Sequence, residues 1–367
     1  MENSSSSPSG ELQLDIVRFG DLALTKECCD RMDASIEQVR SLKAHPYARP
    51  EDAVAVTLRR DERQVGRIGL FPGKIQIGEE RFPLSWGSGW GFDGDPRNRA
   101  AAGLLLIRAF KEAKSLGGFG ISEVANPIYR AAKFDLITLP RFILLFRSKA
   151  VLTHYVGREV LARALAIPAD AVLALSRRAL ALRFSRKGYT VQRIERFDPE
   201  VARIDALARG PFYFPRDDRE LNWVLENPWH GAGAKYGYQA FYVRNASGSV
   251  VGYALARQRF FAVAAGFRDL TLGSVLTFAV DPLAEGAGDA LFAAVITSLE
   301  DSGADAVEVC TLNVNLQAAA KRLGGRRVGE LRAGLKLTGD AKRALTARGA
   351  TLQSFVADMG EGDMIFG

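Results

Sequence analysis

The chain has 367 residues, enough for two domains of ordinary size, and its 47% hydrophobic and 25% charged residues exclude wholesale disorder and collagen-like architecture. Three cysteines, Cys28, Cys29 and Cys310, form neither a zinc spacing nor a disulfide framework, and three histidines leave little for a metal site. No run reaches the ~18 apolar residues of a spanning helix, so a reduced, cytoplasmic chain without a metal is expected.

Met1 to Gly10 is Ser-rich and reads as a frayed tail rather than a signal peptide. Leu12 to Phe19 predicts a strand, and residues 21–47 carry helical periodicity. Ala53 to Leu58, Val65 to Leu70, Ile75 to Ile77 and Phe82 to Phe92 predict an antiparallel meander. A turn at Asp95-Pro96-Arg97-Asn98-Arg99 opens a helix over Ala100 to Leu116. A strand at Phe119 to Val124, a helix at Pro127 to Lys133 and a strand at Arg141 to Phe146 follow. Helices then fill 150–187, where the charge is concentrated: between Arg141 and Lys187 ten basic residues face two acids, a local +8 against +7 for the whole chain.

The same order then repeats. Thr190 to Ile194 predicts a strand, and Pro199 to Arg209 and Asp218 to Asn227 predict helices. Strands at Gln239 to Val243, Val250 to Arg257 and Leu270 to Val280 lead through Glu285-Gly286-Ala287-Gly288 into a helix ending near Ser302. A strand at Ala306 to Thr311, a helix at Leu316 to Leu323 and a strand at Arg326 to Leu337 complete it. Two junctions correspond. Phe92-Asp93-Gly94-Asp95-Pro96 matches Phe278-Ala279-Val280-Asp281-Pro282, and Asn126 and Asn313 each follow the next strand. Two copies of one fold are therefore expected: a tail at 1–10, a first domain at 11–148, a basic helical linker at 149–188 and a second domain at 189–367.

A strand, a small-residue turn and a helix N-terminus together offer backbone N–H groups and a dipole to an anion. The chain has two such turns, Arg97-Asn98-Arg99-Ala100-Ala101-Ala102-Gly103 and Glu285-Gly286-Ala287-Gly288-Asp289; each read alone can simply start a helix. The aromatic run Phe212-Tyr213-Phe214-Pro215 with Trp223, Trp229, Tyr236 and Tyr238 reads as core or domain-interface packing, against an aromatic acceptor pocket. His45 and His230 read as loop residues. In the linker, Leu161, Leu165, Val172, Leu175, Leu180 and Leu182 interleave with arginines, as in an interfacial helix or a helix pair packing two domains together. Nucleic acid is not expected as a partner, because aromatic residues are sparse there.

These turns, and Asn126-Pro127-Ile128-Tyr129-Arg130-Ala131-Ala132-Lys133-Phe134, resemble the GNAT superfamily of N-acetyltransferases. There a Q/R-x-x-G-x-G/A turn wraps the pyrophosphate of acetyl-CoA, and the next strand leads to an Asn and a helix with a Tyr. Lys133 stands where the family usually has Gly, and the second copy has no such Tyr. The first turn fits as Arg97-x-x-Ala100-x-Ala102 or as Asn98-x-x-Ala101-x-Gly103. The second has the glycines but Leu283 in place of Arg or Gln, and its Glu285 and Asp289 would repel a pyrophosphate. Similar tandem proteins carry a motif like Arg216-Asp217-Asp218-Arg219-Glu220-Leu221-Asn222-Trp223 and an Asp/Gly-rich tail like Gly360-Glu361-Gly362-Asp363-Met364.

The resemblance implies an α+β fold of two tandem GNAT-like domains, each a mixed, mostly antiparallel sheet flanked by helices. It implies direct attack of a primary amine on an acyl-CoA thioester, acetyl or longer, with the donor in the first copy and a structural or acceptor-binding second copy. The pair would mimic a GNAT dimer, so a monomer is expected. Tyr129 stands at the general-acid position, with a core aromatic as the alternative. Glu123 and Asp93 are base candidates, against a solvent-facing acid and a turn residue. Arg97, Asn98, Arg99, Ala100, Ala101, Ala102, Gly103 and Asn126 are the cofactor-binding candidates, Asn126 alternatively capping its helix. Three rival readings are a long-chain transferase acting on a lipid amine at an anionic membrane through 141–187, an aminoacyl-tRNA-dependent transferase, and a non-catalytic acyl-CoA-binding protein.

Overall fold

The computed structural model describes residues 11–60, 63–92, 99–156, 159–184, 188–227, 236–264 and 267–361; Asp93, Arg97, Asn98, Trp229, His230 and the Ser-rich tail lie outside the described residues. The first half runs β1 (Leu12–Arg18), α1 (Lys26–Met32), α2 (Ile36–Lys43), β2 (Ala53–Arg60), β3 (Arg63–Ile77), β4 (Glu80–Phe92), α3 (Arg99–Ala113), β5 (Leu116–Phe119), α4 (Asn126–Ala131) and β6 (Asp135–Leu145). Two helices follow, α5 (Lys149–Val156) and α6 (Glu159–Phe184). The second half runs β7 (Thr190–Ile194), α7 (Glu200–Arg209), β8 (Phe212–Tyr213), α8 (Asp218–Glu226), β9 (Tyr236–Arg244), β10 (Val250–Ala264) and β11 (Phe267–Val280). It ends with α9 (Ala287–Asp301), β12 (Ala306–Cys310), α10 (Val314–Arg322), β13 (Arg326–Lys336) and α11 (Gly339–Ala347).

Several boundaries differ from the sequence reading: β6 begins at Asp135 rather than Arg141, β10 runs to Ala264 rather than Arg257, β8 and α11 are additional, and three further differences have a clear cause. The helical stretch 21–47 is two helices, because Asp33 takes a left-handed conformation (φ 46°) and Ser35 opens α2 with a capping box to Gln38. One continuous strand, β3, replaces two, since every residue from Gly69 to Ile77 pairs with β4 and gives the backbone no reason to turn. The strand predicted at Phe119 to Val124 lies earlier, at Leu116–Phe119, which leaves Glu123 in the turn before α4.

The strands form one sheet in the order β1-β2-β3-β4-β5-β13-β6-β12-β11-β10-β9-β7. The centre is an exchange. β13 of the second half pairs antiparallel with β5 of the first, and β6 of the first pairs antiparallel with β12 of the second. Between them β6 and β13 pair with each other from Asp135–Leu335 to Ile143–Arg326. Each half thus completes its sheet with the other's last strand. The packing follows the same logic. On one face Leu105, Leu106 and Ala109 of α3 cover Val56, Leu58, Ile68 and Leu70. Leu291, Phe292, Val295 and Leu299 of α9 cover Val275, Phe278, Val307 and Val309. The opposite face has one shared core in which Ile75, Leu84 and Trp86 meet Phe214, Leu221, Trp223 and Phe355. Each such side chain contributes roughly 1.5–3 kcal/mol, so the inner face of either half depends on the other.

Helix α8 joins the halves. Asp217 caps it by accepting from the Glu220 N–H at 3.1 Å, and also accepts from the Tyr47 hydroxyl of the first half. Trp223 donates to the Ser41 carbonyl at 2.9 Å, and its ring meets His45 at 4.4 Å. His45 is a loop residue, as its sequence context suggests, but one buried at the interface, 6% exposed. Phe214 lies between Trp86 (4.9 Å) and Phe355 (5.6 Å), so the aromatic run there packs the interface.

Candidate functional site

In the first half, β4 and β5 run parallel for three residue pairs, Ser85–Leu116, Trp86–Gly117 and Gly87–Gly118. Beyond Gly87, among the described residues, β4 pairs with β3 alone, so the two strands part. Tyr129 of α4 lies at the parting. A Cβ on Gly118 would stand 2.5 Å from its hydroxyl, so only glycine admits this approach. The ring is buried between Trp90 (5.6 Å) and Phe134 (4.7 Å). Two polar atoms beside it, Trp90 Nε1 and Asn126 Oδ1, are buried without a hydrogen-bond partner among the described residues. Such atoms cost free energy unless something pairs with them. One is a donor and the other an acceptor.

The structure brings Asn126 and Tyr129 together on α4. Asn126 occupies the first helical position and its side chain caps nothing; Ala125 is the cap residue. Ala101 and Ala102 face the core beneath α3 and are buried there. Gly103 is in the same helix, and a Cβ there would meet nothing within 4 Å. Arg99 and Ala100 open α3. Glu123 stands apart: its carboxylate is exposed and pairs with Arg332 at 2.7 Å. Asp93, Arg97 and Asn98 lie outside the described residues.

The second half repeats the parting and closes it. β11 and β12 pair in parallel from Leu272–Ala306 to Val275–Val309 and then diverge. Residues 356–361 fill the gap. Gly360 N donates to the Leu276 carbonyl at 2.6 Å, and Leu312 N donates to the Ala357 carbonyl at 2.8 Å. A Cβ on Gly360 would come within 2.5 Å of the Leu276 oxygen, so this close passage requires glycine. Asn313 caps α10, accepting from Asn315 N and Leu316 N. Around Gly286 and Gly288 a cavity of about 200 Å³ opens, lined also by Asp281, Glu285, Asp289 and Arg322. Arg322 pairs with Asp289, which offsets half of the acidity that the sequence assigned to this turn.

The inserted segment is held by a buried charge network. Arg209 donates to Asp205 at 2.6 Å, to Thr277 Oγ1 at 2.6 Å and to Asp358 at 2.7 Å. Asp358 also accepts from Thr311 Oγ1 at 2.5 Å and Phe278 N at 3.1 Å. Arg216 donates to Glu361 at 2.9 Å and to the Gly360 carbonyl, and pairs with Glu220. Tyr253 donates to Asp205 at 2.7 Å. Burial pushes Glu361 up to about 7, against the pull of Arg216 and Arg209. Burial likewise raises Glu220, which Arg216 draws back down. The motif at Arg216 and the acidic tail were both visible in sequence; their union was not. Arg209, Asp205, Thr277 and Tyr253 carry no local signal, because ordinary residues of helices and strands converge here only through the fold.

No family model matches the chain, and no curated protein matches it. Solved structures do. N-myristoyltransferase of Saccharomyces cerevisiae with bound myristoyl-CoA matches at a TM-score of 0.57 and 9% identity, over 90% of this chain and 84% of that one. A GCN5-related N-acetyltransferase of Anabaena variabilis matches at 0.54 and 10% identity, over 89% of this chain and 73% of that one. At such identity the likeness is one of fold. The fold, seen in its sheet order and in these matches, is that of the GNAT superfamily, as the residues from Asn126 to Phe134 imply.

Proposed function

We propose that the protein transfers an acyl group from acyl-CoA to a primary amine, with the donor bound in the first half. One observation carries the placement. Where β4 and β5 part, the buried Trp90 Nε1 and Asn126 Oδ1 offer one donor and one acceptor, the complement of a secondary amide such as those of the pantetheine arm. The equivalent opening of the second half is filled by residues 356–361, which supports the first half as donor site and the second as scaffold or acceptor site.

In this reading the Arg97–Gly103 turn holds the pyrophosphate through backbone N–H groups at the start of α3, with Arg97 and Arg99 adding charge. The amine nitrogen attacks the thioester carbonyl; the C–N bond forms, the C–S bond breaks, and the thiolate leaves. Tyr129, its hydroxyl beside Gly118 at the strand parting, returns a proton to that sulfur. Asp93, next after β4, keeps the base role. Glu123, exposed and paired with Arg332, does not fit it.

Calorimetric titration with acetyl-CoA and palmitoyl-CoA tests the placement. The wild type should bind at least one saturably, and Arg97→Glu/Arg99→Glu should abolish that binding. Tyr129→Phe should still bind the donor but lose about 10²-fold or more in turnover across a panel of primary amines. Absence of binding to both thioesters would overturn the proposal. Binding that survives the charge reversal would move the donor out of the first half.

A further inference from the structure

Helix α6 is built the wrong way round for a helix in water. The side it turns to the body is mostly small and polar: Ala162 and Ala166 are buried, Leu173 is half-buried, and Asp170 accepts from the Ser148 backbone N–H and hydroxyl at 2.6 and 2.7 Å. The side it turns outward is aliphatic. Val160 is 84% exposed, Ile167 75%, Leu175 69% and Val172 67%, with Leu161 and Leu165 about half exposed. At 100° per residue these six side chains share an arc of about 160° with Ala164, Pro168 and Ala171, and no charge falls within it before Arg178. An ordinary amphipathic helix buries such a stripe. Burying it would be worth roughly 25 cal/mol per Å² of apolar surface, so leaving six large side chains in water calls for an occupant.

We infer that α6 lies in the surface of an anionic lipid bilayer. Charge selects this occupant. Arg177, Arg178 and Arg183 sit in the last third of the helix, followed in sequence by Arg186 and Lys187, with no acid after Asp170. Arginines that follow an aliphatic stretch within one helix are the pattern of a helix resting at the headgroup level of an anionic surface. A second element points the same way. Helix α5 packs against both α6 and β11, and its Tyr155 is 77% exposed. The β10–β11 hairpin beside it exposes Val263 on the same face as its cross-strand partner Arg268 and as Arg259. A groove for one peptide helix would not need apolar and basic side chains on two separate elements; a planar surface would. No helix among the described residues is long and apolar enough to cross a membrane, so α6 would lie along it. This inference does not depend on the acyl-transfer reading.

Sedimentation of the full chain with vesicles tests it. Vesicles of phosphatidylcholine with one third phosphatidylglycerol should bind the protein at least tenfold more tightly than pure phosphatidylcholine, and 0.5 M salt should weaken the binding. Val172→Glu/Leu175→Glu should reduce the partition coefficient at least tenfold with an unchanged thermal midpoint and unchanged thioester binding. If that variant does not fold, Ile167→Glu serves in its place. Failure of the wild type to bind anionic vesicles would overturn the inference. So would equal binding to both lipid compositions, or a wild-type dimer by light scattering that the same variant dissociates, which would make a second copy the occupant.

Discussion

Replacing Asp358 by Ala should unlock the C-terminal segment. The carboxylate accepts from Arg209 (2.7 Å), from Thr311 (2.5 Å) and from the Phe278 N–H (3.1 Å), all without solvent. Its removal leaves Arg209 with Asp205 at 2.6 Å and Glu361 at 3.6 Å, leaves the Thr311 hydroxyl only the longer bond to the Ala357 carbonyl at 3.3 Å, and takes a side-chain acceptor from the Phe278 N–H. Breaking one side of a buried pair costs about 3–5 kcal/mol, chiefly because the remaining groups stay desolvated. At about 2–4 °C per kcal/mol for a domain of this order, the midpoint should fall by roughly 6–20 °C. Asp358→Asn keeps an acceptor for Thr311 or Phe278 but removes the charge, and should cost about 1–3 kcal/mol. Arg209→Met/Asp358→Leu should be less damaging than Asp358→Ala, since it removes both charges. Urea unfolding followed by circular dichroism measures all three. A loss of under ~1 kcal/mol for Asp358→Ala would refute the claim that this network holds residues 356–361 between β11 and β12.

Trp223→Phe should cost about 1–3 kcal/mol, because the Ser41 carbonyl loses its buried donor; urea midpoints check this. Gly103→Ala should stabilise α3 by about 0.5–1 kcal/mol, since the added methyl meets open space, and destabilisation would contradict that geometry. Two buried groups set opposite pH limbs. Burial, with Arg216 and Lys74 adding to it, lowers His45 from 6.5 to about 3, so in that window the unfolded chain binds the extra proton and stability falls as pH drops. His45→Asn should flatten this limb. Glu361 rises from 4.5 to about 7, so its contribution is present below about 4.5 and lost as pH rises through about 7; Glu361→Gln should remove that loss. Urea unfolding between pH 4.5 and 8 reads both.

Local pattern was enough for much of the fold. The apolar stretches Ala53–Leu58 and Val65–Leu70 between turn residues read as strands, although β2 is buried on both faces rather than one, and Ala287–Asp301 read as a helix because its apolar positions recur at helical spacing. The matching Asp-Pro junctions and the paired Asn126 and Asn313 pointed to a repeated order of elements. The turn at Asp33 escaped notice because a left-handed residue costs little where only one is needed. At the candidate site, Asn126 and Tyr129 were legible through their spacing on one short helix. Trp90 was not, since its relevance lies in which strand β4 leaves. Sequence thus determined the elements and their repeated order, which depend on neighbours a few residues apart. Tertiary structure alone decided that β6 and β13 change places, that residues 356–361 close one parting and leave the other, and that α6 turns Leu161, Leu165 and Leu175 outward. Those depend on contacts between residues far apart in sequence, 149 positions for Arg209 and Asp358 and more for the Leu116–Lys336 pair of β5 and β13, and no local pattern encodes them.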